Sequence, residues 1–356
     1  DRLVPPAVAE AQLVHRKARR LDFVGEPFGE AFDPRIGTIG GGPLDFARDR
    51  LRFGAHLAIS GAAARPVQAW HIRGNRRQMV GPAFSEGEWQ SEDGLTLHFR
   101  DYAGGDGRSP LLCLHGLTRN ARDFEPLAQR FAGEWRLIVP EMRGRGHSEY
   151  ARDASSYAVG TYLADTVRLL RHLGCGAVAI VGTSMGGIMA MVMARAQAWP
   201  IAAVVLNDIG PTLEPEGMAR IREHVGQGGS FETWMHAARY LREQGGSQHP
   251  DFTIGDWLDF AKRVMVVGGS GRIVFDYDMR IAEPLNADGG AVPDLWPALR
   301  ALAGIPALVL RGEVSDLLSA ATVTRMQVEL PGLRAVTVPR AGHPPTLAEP
   351  EAQAAI

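Results

Sequence analysis

Ser184 lies in Gly182-Thr183-Ser184-Met185-Gly186-Gly187, directly after the short apolar run Val178-Ala179-Ile180-Val181. A helix-like run, Ile188 to Ala198, follows at once. Gly-x-Ser-x-Gly between a strand and a helix predicts a nucleophile elbow, a turn so tight that the serine hydroxyl projects from the strand's end. Such a turn holds the serine in a strained backbone conformation, and the strain aims the oxygen. Glycine is needed on both sides because a Cβ there would collide with a neighbouring strand or helix. The Met185 N–H opens the helix, where the dipole favours negative charge. In a chain with 42 glycines the pentapeptide alone arises easily by chance. Its meaning comes from the flanking strand and helix.

A serine hydroxyl is a poor nucleophile near neutral pH, so it needs a base, and the base needs a group that orients it. With an elbow of this kind the chain order is serine, acid, histidine. Four histidines follow Ser184: His224, His236, His249 and His343. The first three fall in helical or loop stretches with no strand before them. His343 follows the last strand and is taken as the base. Two acids sit at strand ends before it. Asp316 follows Ala307-Leu308-Val309-Leu310 and its turn, and is favoured; Asp208 follows the run Ala202 to Leu206 and is the alternative. An oxyanion hole needs two N–H groups aimed at developing charge. Met185 is expected to supply one and Leu117, after His115-Gly116, the other. His115 is expected to brace that loop rather than act as a second base.

Positioning these groups requires a sheet. Leu95 to Tyr102 alternates like a strand, with Asp93-Gly94 before it as a turn signal. Leu111 to Leu114 and Arg136 to Pro140 are continuous apolar runs, as in strands buried on both faces. Helical runs lie between them, including Tyr157 to Leu173 with Gly174 as its stop. The pattern predicts an α/β fold with a mostly parallel, doubly wound sheet whose sites form at the carboxyl ends of the strands. Residues 211–296 break the alternation. They read as helical and rich in aromatics, and predict a cap inserted between late strands. Most of those aromatics are expected to build the cap's own small core. The alternation resumes from Ala307 to the end, so the core is expected to span 79–210 and 297–356.

His115-Gly116, Arg143-Gly144-Arg145-Gly146-His147-Ser148, the Ser184 elbow, Ser315-Asp316 and Gly342-His343 together resemble the α/β-hydrolase family, serine-nucleophile branch. The resemblance runs from about Trp89 to the end. It implies a hydrolase that cleaves a carboxylic ester or lactone of a small to medium apolar molecule through an acyl-enzyme, with no cofactor and no metal. A carbon–carbon bond hydrolase of aromatic ring-fission products, an acyltransferase and a non-catalytic ligand-binding homologue stay open as alternatives. Oligomeric state is open too.

Composition sets the outer bounds. The chain has 356 residues, is 45% hydrophobic and 22% charged, and carries a net charge of -2. Near-neutral charge argues against a nucleic-acid partner or a polybasic membrane contact. No apolar run is long enough to span a bilayer. Cys113 and Cys175 read as reduced core residues, and the expected location is the cytoplasm. Residues 1–78 differ from the rest: basic residues number 13 against 8 acidic, and periodicity is weak. They are expected to be a disordered or non-native extension, with Met79 as the natural start. Arg50 to Ala69 mimics a secretory signal but is internal.

Overall fold

The computed structural model describes residues 81–105, 107–287 and 293–356. The extension 1–78, the start at Met79 and the signal-like stretch lie outside the described residues. Strands β1 (Ser85–Gln90) and β2 (Thr96–Tyr102) form an antiparallel hairpin around Asp93-Gly94, with Gly94 at φ 81°. The positive φ is the conformation that glycine tolerates best. β3 (Leu111–Leu114), β4 (Leu137–Pro140), β5 (Val178–Thr183), β6 (Ile201–Asn207), β10 (Ala307–Gly312) and β11 (Arg334–Val338) complete an eight-stranded sheet. Its order is β1-β2-β4-β3-β5-β6-β10-β11, and every pairing from β4 to β11 is parallel.

β3, β4 and β5 are buried at every position, and the side chains of the central strands alternate between two cores. Leu112, Leu114, Ile138, Ile180 and Val309 face one. Leu111, Cys113, Leu137, Val139 and Leu308 face the other. This explains the unbroken apolar runs: both faces are covered along most of each strand, and polar residues enter only near the carboxyl ends, as at Thr183 and Asn207. Helices α1 (Glu125–Phe131), α2 (Val159–His172) and α3 (Met185–Arg195) supply the cover, with Leu127 in the second core and Leu169 and Met189 in the first. Gly174, at φ 61°, follows α2.

The stretch between β6 and β10 holds α4 (Pro215–His224), β7 (Ser230–Phe231), α5 (Trp234–Gly245), α6 (Ile254–Val264), β8 (Met265–Val267), β9 (Ile273–Phe275), α7 (Ala282–Ala287) and α8 (Trp296–Arg300). The insertion therefore contains a small antiparallel sheet, β7-β9-β8, as well as helices. Those strands have two or three residues each, too few for an alternating pattern to register in sequence. Trp257, Phe260, Ala237 and Leu241 make a separate core on which Phe231, Trp234 and Tyr240 pack. Tyr277 and Trp296 belong instead to the main core. The chain ends with α9 (Ala320–Glu329), β11 and α10 (Pro350–Ala355). No helix among the described residues is long and apolar enough to cross a membrane.

Two buried histidines make stability depend on pH. Burial pushes His115 down from 6.5 to about 4 and His249 from 6.5 to about 3. Between those values and 6.5 the unfolded chain binds more protons than the folded one, so stability rises with pH. The carboxylates Asp93 and Glu141, both held at about 2, add their own loss only once pH falls below their ordinary values of 3.8 and 4.5. The denaturant midpoint is therefore expected to fall as pH drops from 6.5 to 4.5. His249 stacks on Phe252 with ring centroids 4.4 Å apart. His249→Phe keeps an aromatic ring there and should flatten part of the slope; an unchanged slope would remove His249 from the account.

Candidate active site

Ser184 joins β5 to α3 with φ 51° and ψ -114°, outside the regions open to most L-residues. Its glycines are required by contact. A Cβ on Gly182 would come within 2.5 Å of the Gly186 carbonyl oxygen, and one on Gly186 would land on the Leu114 carbonyl. The Ser184 N–H donates to the Asn207 carbonyl at 3.0 Å, which ties the elbow to β6. The side chain of Asn207 donates to Thr183 at 3.1 Å and to the Pro345 carbonyl at 2.9 Å, so it links the elbow to the loop that carries His343.

Ser184 and His343 come together as the sequence suggests. His343 Nε2 is 3.0 Å from Ser184 Oγ. The acid beside it is not the favoured one. His343 Nδ1 is 2.8 Å from Oδ2 of Asp208, which is fully buried at the end of β6. Asp208 Oδ1 accepts from the Gly312 N–H at 2.7 Å, and Oδ2 also accepts from Ser315 Oγ at 2.6 Å. Three donors thus converge on this carboxylate.

Asp316, favoured from sequence as the acid, must be corrected in position. Both of its oxygens accept from Arg220 of α4, at 2.6 and 2.8 Å. Burial pushes its carboxyl up, but the Arg220 hydrogen bonds and charge outweigh that and hold it below the ordinary range. The physical reason is the reach of α4. It brings a guanidinium whose planar fork matches a carboxylate in two bonds, and nothing in the local sequence of Asp316 reveals that partner.

Met185 opens α3, where the first N–H groups have no carbonyl within the helix to pair with. Leu117, Met185 and Ser184 line one cavity. The Leu117 carbonyl accepts from Arg145 Nε at 2.8 Å. Arg145 is fully buried and also donates to the Arg143 carbonyl and the Tyr162 hydroxyl. His115 is fully buried, and burial depresses it to about 4, so it is neutral near pH 7. Its Nδ1 lies 2.7 Å from the Gly116 carbonyl and its Nε2 accepts from the Met142 N–H at 3.0 Å. Those two bonds fix the ring in one tautomer that bridges the loops after β3 and β4.

Gln248 carries no signal in the sequence, yet from the insertion it grips the backbone of Gly342 and His343. Its carbonyl accepts from the Gly342 N–H at 2.6 Å and its Oε1 from the His343 N–H at 2.7 Å. Its Nε2 donates to Asp316 at 3.3 Å. Gln248→Ala is expected to lower kcat about 10- to 100-fold by loosening the imidazole, with KM little changed. Steady-state kinetics would test this, and an equal rise in KM alone would contradict it.

The cavity has a volume of about 310 Å³. Its walls are mainly apolar, with Ile188 and Ile209 from the main core and Leu213, Met218 and Ile221 from the insertion. The aromatic rings among its described walls are Tyr157 and Tyr162, neither of which comes from the insertion.

A parallel sheet with a strained serine at the tip of a central strand defines the α/β class of hydrolases. A family model described as "Alpha/beta hydrolase family" matches residues 111–356, and the chain belongs to that family. It is an enzyme, a hydrolase of this type. A 3-hydroxybutyrate-oligomer hydrolase of Cupriavidus necator is 36% identical over 264 residues, 71% of this chain and 88% of that protein. A 2-(acetamidomethylene)succinate hydrolase of Mesorhizobium japonicum is 29% identical over 255 residues, 70% of this chain and 85% of that protein. The crystal structure of an alpha/beta hydrolase from Novosphingobium aromaticivorans is 56% identical with a TM-score of 0.74, covering 76% of this chain and 96% of that one.

Proposed function

We propose that the protein hydrolyses a short aliphatic carboxylic ester, such as an ester between hydroxy acids, through an acyl-enzyme on Ser184. The observation that carries this reading is His343, whose ring lies 3.0 Å from Ser184 Oγ on one side and 2.8 Å from Asp208 on the other. His343 Nε2 takes the Ser184 proton as Oγ attacks the ester carbonyl carbon. Asp208 accepts from Nδ1, so it fixes the tautomer and supports the imidazolium that forms. The Leu117 and Met185 N–H groups hold the oxyanion. The tetrahedral intermediate collapses, the C–O bond breaks, and the alcohol leaves with the proton from His343. Water then gives its proton to His343, attacks the acyl carbon and releases the acid, and Ser184 regains its hydrogen.

An apolar cavity of about 310 Å³ suits a small substrate. The likeness to a hydrolase of 3-hydroxybutyrate oligomers supports the same class. The insertion 211–296 acts as the cap in this reading, because its side chains close one wall over Ser184.

The test combines intact-mass analysis after a fluorophosphonate probe with turnover of p-nitrophenyl esters of rising chain length and of linear 3-hydroxybutyrate dimer and trimer. One adduct and turnover confined to short acyl chains and oligomers is the expected result. Labelling without turnover of any ester would overturn the substrate class and leave the nucleophile. No labelling would overturn both.

A further inference from the structure

On the outer side of β2, His98 is almost wholly buried, with 7% of its side chain exposed. Its Nδ1 lies 3.0 Å from Oε2 of Glu141. Glu141, at 2% exposed, also accepts from the Ala121 N–H at 3.0 Å and from the His147 N–H at 2.8 Å. A carboxylate that takes the Nδ1 proton leaves a lone pair on Nε2. That nitrogen is buried and has no hydrogen-bond partner. Buried nitrogens are rarely left in this state, because the lost hydration is not repaid.

Nε2 points at Glu86 Oε1 of β1, 3.8 Å away, which is too far for a hydrogen bond. The His147 ring packs edge-on against the His98 ring, with centroids 4.8 Å apart. The ligand atoms of Glu86, His98 and His147 all lie within 4.8 Å of one another. In a tetrahedral zinc site such atoms are roughly 3.4 Å apart, given bonds of about 2.0–2.1 Å. Glu86 and His147 are exposed and free to swing inward, whereas His98 is fixed by its burial and by Glu141.

We propose that Glu86, His98 and His147 form a binding site for a zinc-class divalent cation, with Glu141 orienting His98. Two imidazoles and one carboxylate suit Zn²⁺ and its borderline neighbours better than Mg²⁺ or Ca²⁺, which prefer oxygen. A carboxylate behind the ligating histidine is the usual outer partner of such a ligand. The fourth position opens to solvent and would hold water. None of the three residues lines the Ser184 cavity, so the site is separate from ester hydrolysis. A bound ion would clamp the edge strand β1 to the loop that carries Arg143 and Arg145. The three ligands come from two strands and a loop far apart in sequence, so no metal motif announces them, and the sequence reading expects no metal.

The test titrates ZnCl₂ into the chelator-stripped full chain by calorimetry and follows thermal unfolding. Glu86→Gln and His147→Ala, both at exposed positions, are carried alongside. One equivalent bound, a Tm raised by a few degrees, and binding weakened at least tenfold in each variant are expected. No saturable binding would overturn the site. Binding of equal strength in both variants would place the zinc elsewhere on the chain and overturn it equally.

Discussion

Ser184→Ala is expected to lose at least about 10⁴-fold in kcat on short esters and all labelling by a fluorophosphonate. The effect should be chemical and not structural. Alanine retains the Cβ, so the strain at φ 51° is unchanged and the hydroxyl is the group removed. The thermal unfolding temperature should therefore match that of the unaltered enzyme. On the proposed mechanism the Leu117 and Met185 N–H groups remain in place, so a small rate above that in water is expected to persist. Appreciable turnover in this variant would rule out Ser184 as the nucleophile.

The second large effect separates two aspartates. Asp208→Asn should cost about 10⁴-fold in kcat, because an amide beside Nδ1 favours the wrong imidazole tautomer and supports no positive charge. It also turns an acceptor of three hydrogen bonds into a group that can donate where Gly312 and Ser315 donate. Asp316→Asn should change kcat by less than about tenfold, because Asp316 is engaged by Arg220 and not by His343. Kinetics of the two variants on one p-nitrophenyl ester decides the matter. A larger loss in Asp316→Asn would reverse the roles assigned here.

The elements that hold the site were legible because their apolar patterns are long and local. β3, β5 and β10 read as unbroken runs since both faces are covered, and the elbow read as glycine, serine and glycine because contacts at 2.5 Å or less exclude any Cβ. The pairing of acid with base was not legible. Asp208 and Asp316 both follow strands, and what separates them is a guanidinium on α4 that reaches one and not the other. Gln248, and the bond that Arg145 makes to Leu117, were hidden for the same reason. Each acts through a backbone group distant in sequence, and such a bond leaves no local pattern. The strands β7 to β9 were too short to alternate.

Thr183 and Asn207, the residues just before Ser184 and Asp208, are paired partners on adjacent parallel strands. Ser184 and Asp208 are thus carried by one stiff lattice of backbone hydrogen bonds. His343 alone stands on a loop, and that loop is fastened to the insertion through Gln248. In the proposed relay two groups thus ride on the sheet, and the third rides on a loop pinned from both sides, by Gln248 of the insertion and by Asn207 of the strand that precedes Asp208.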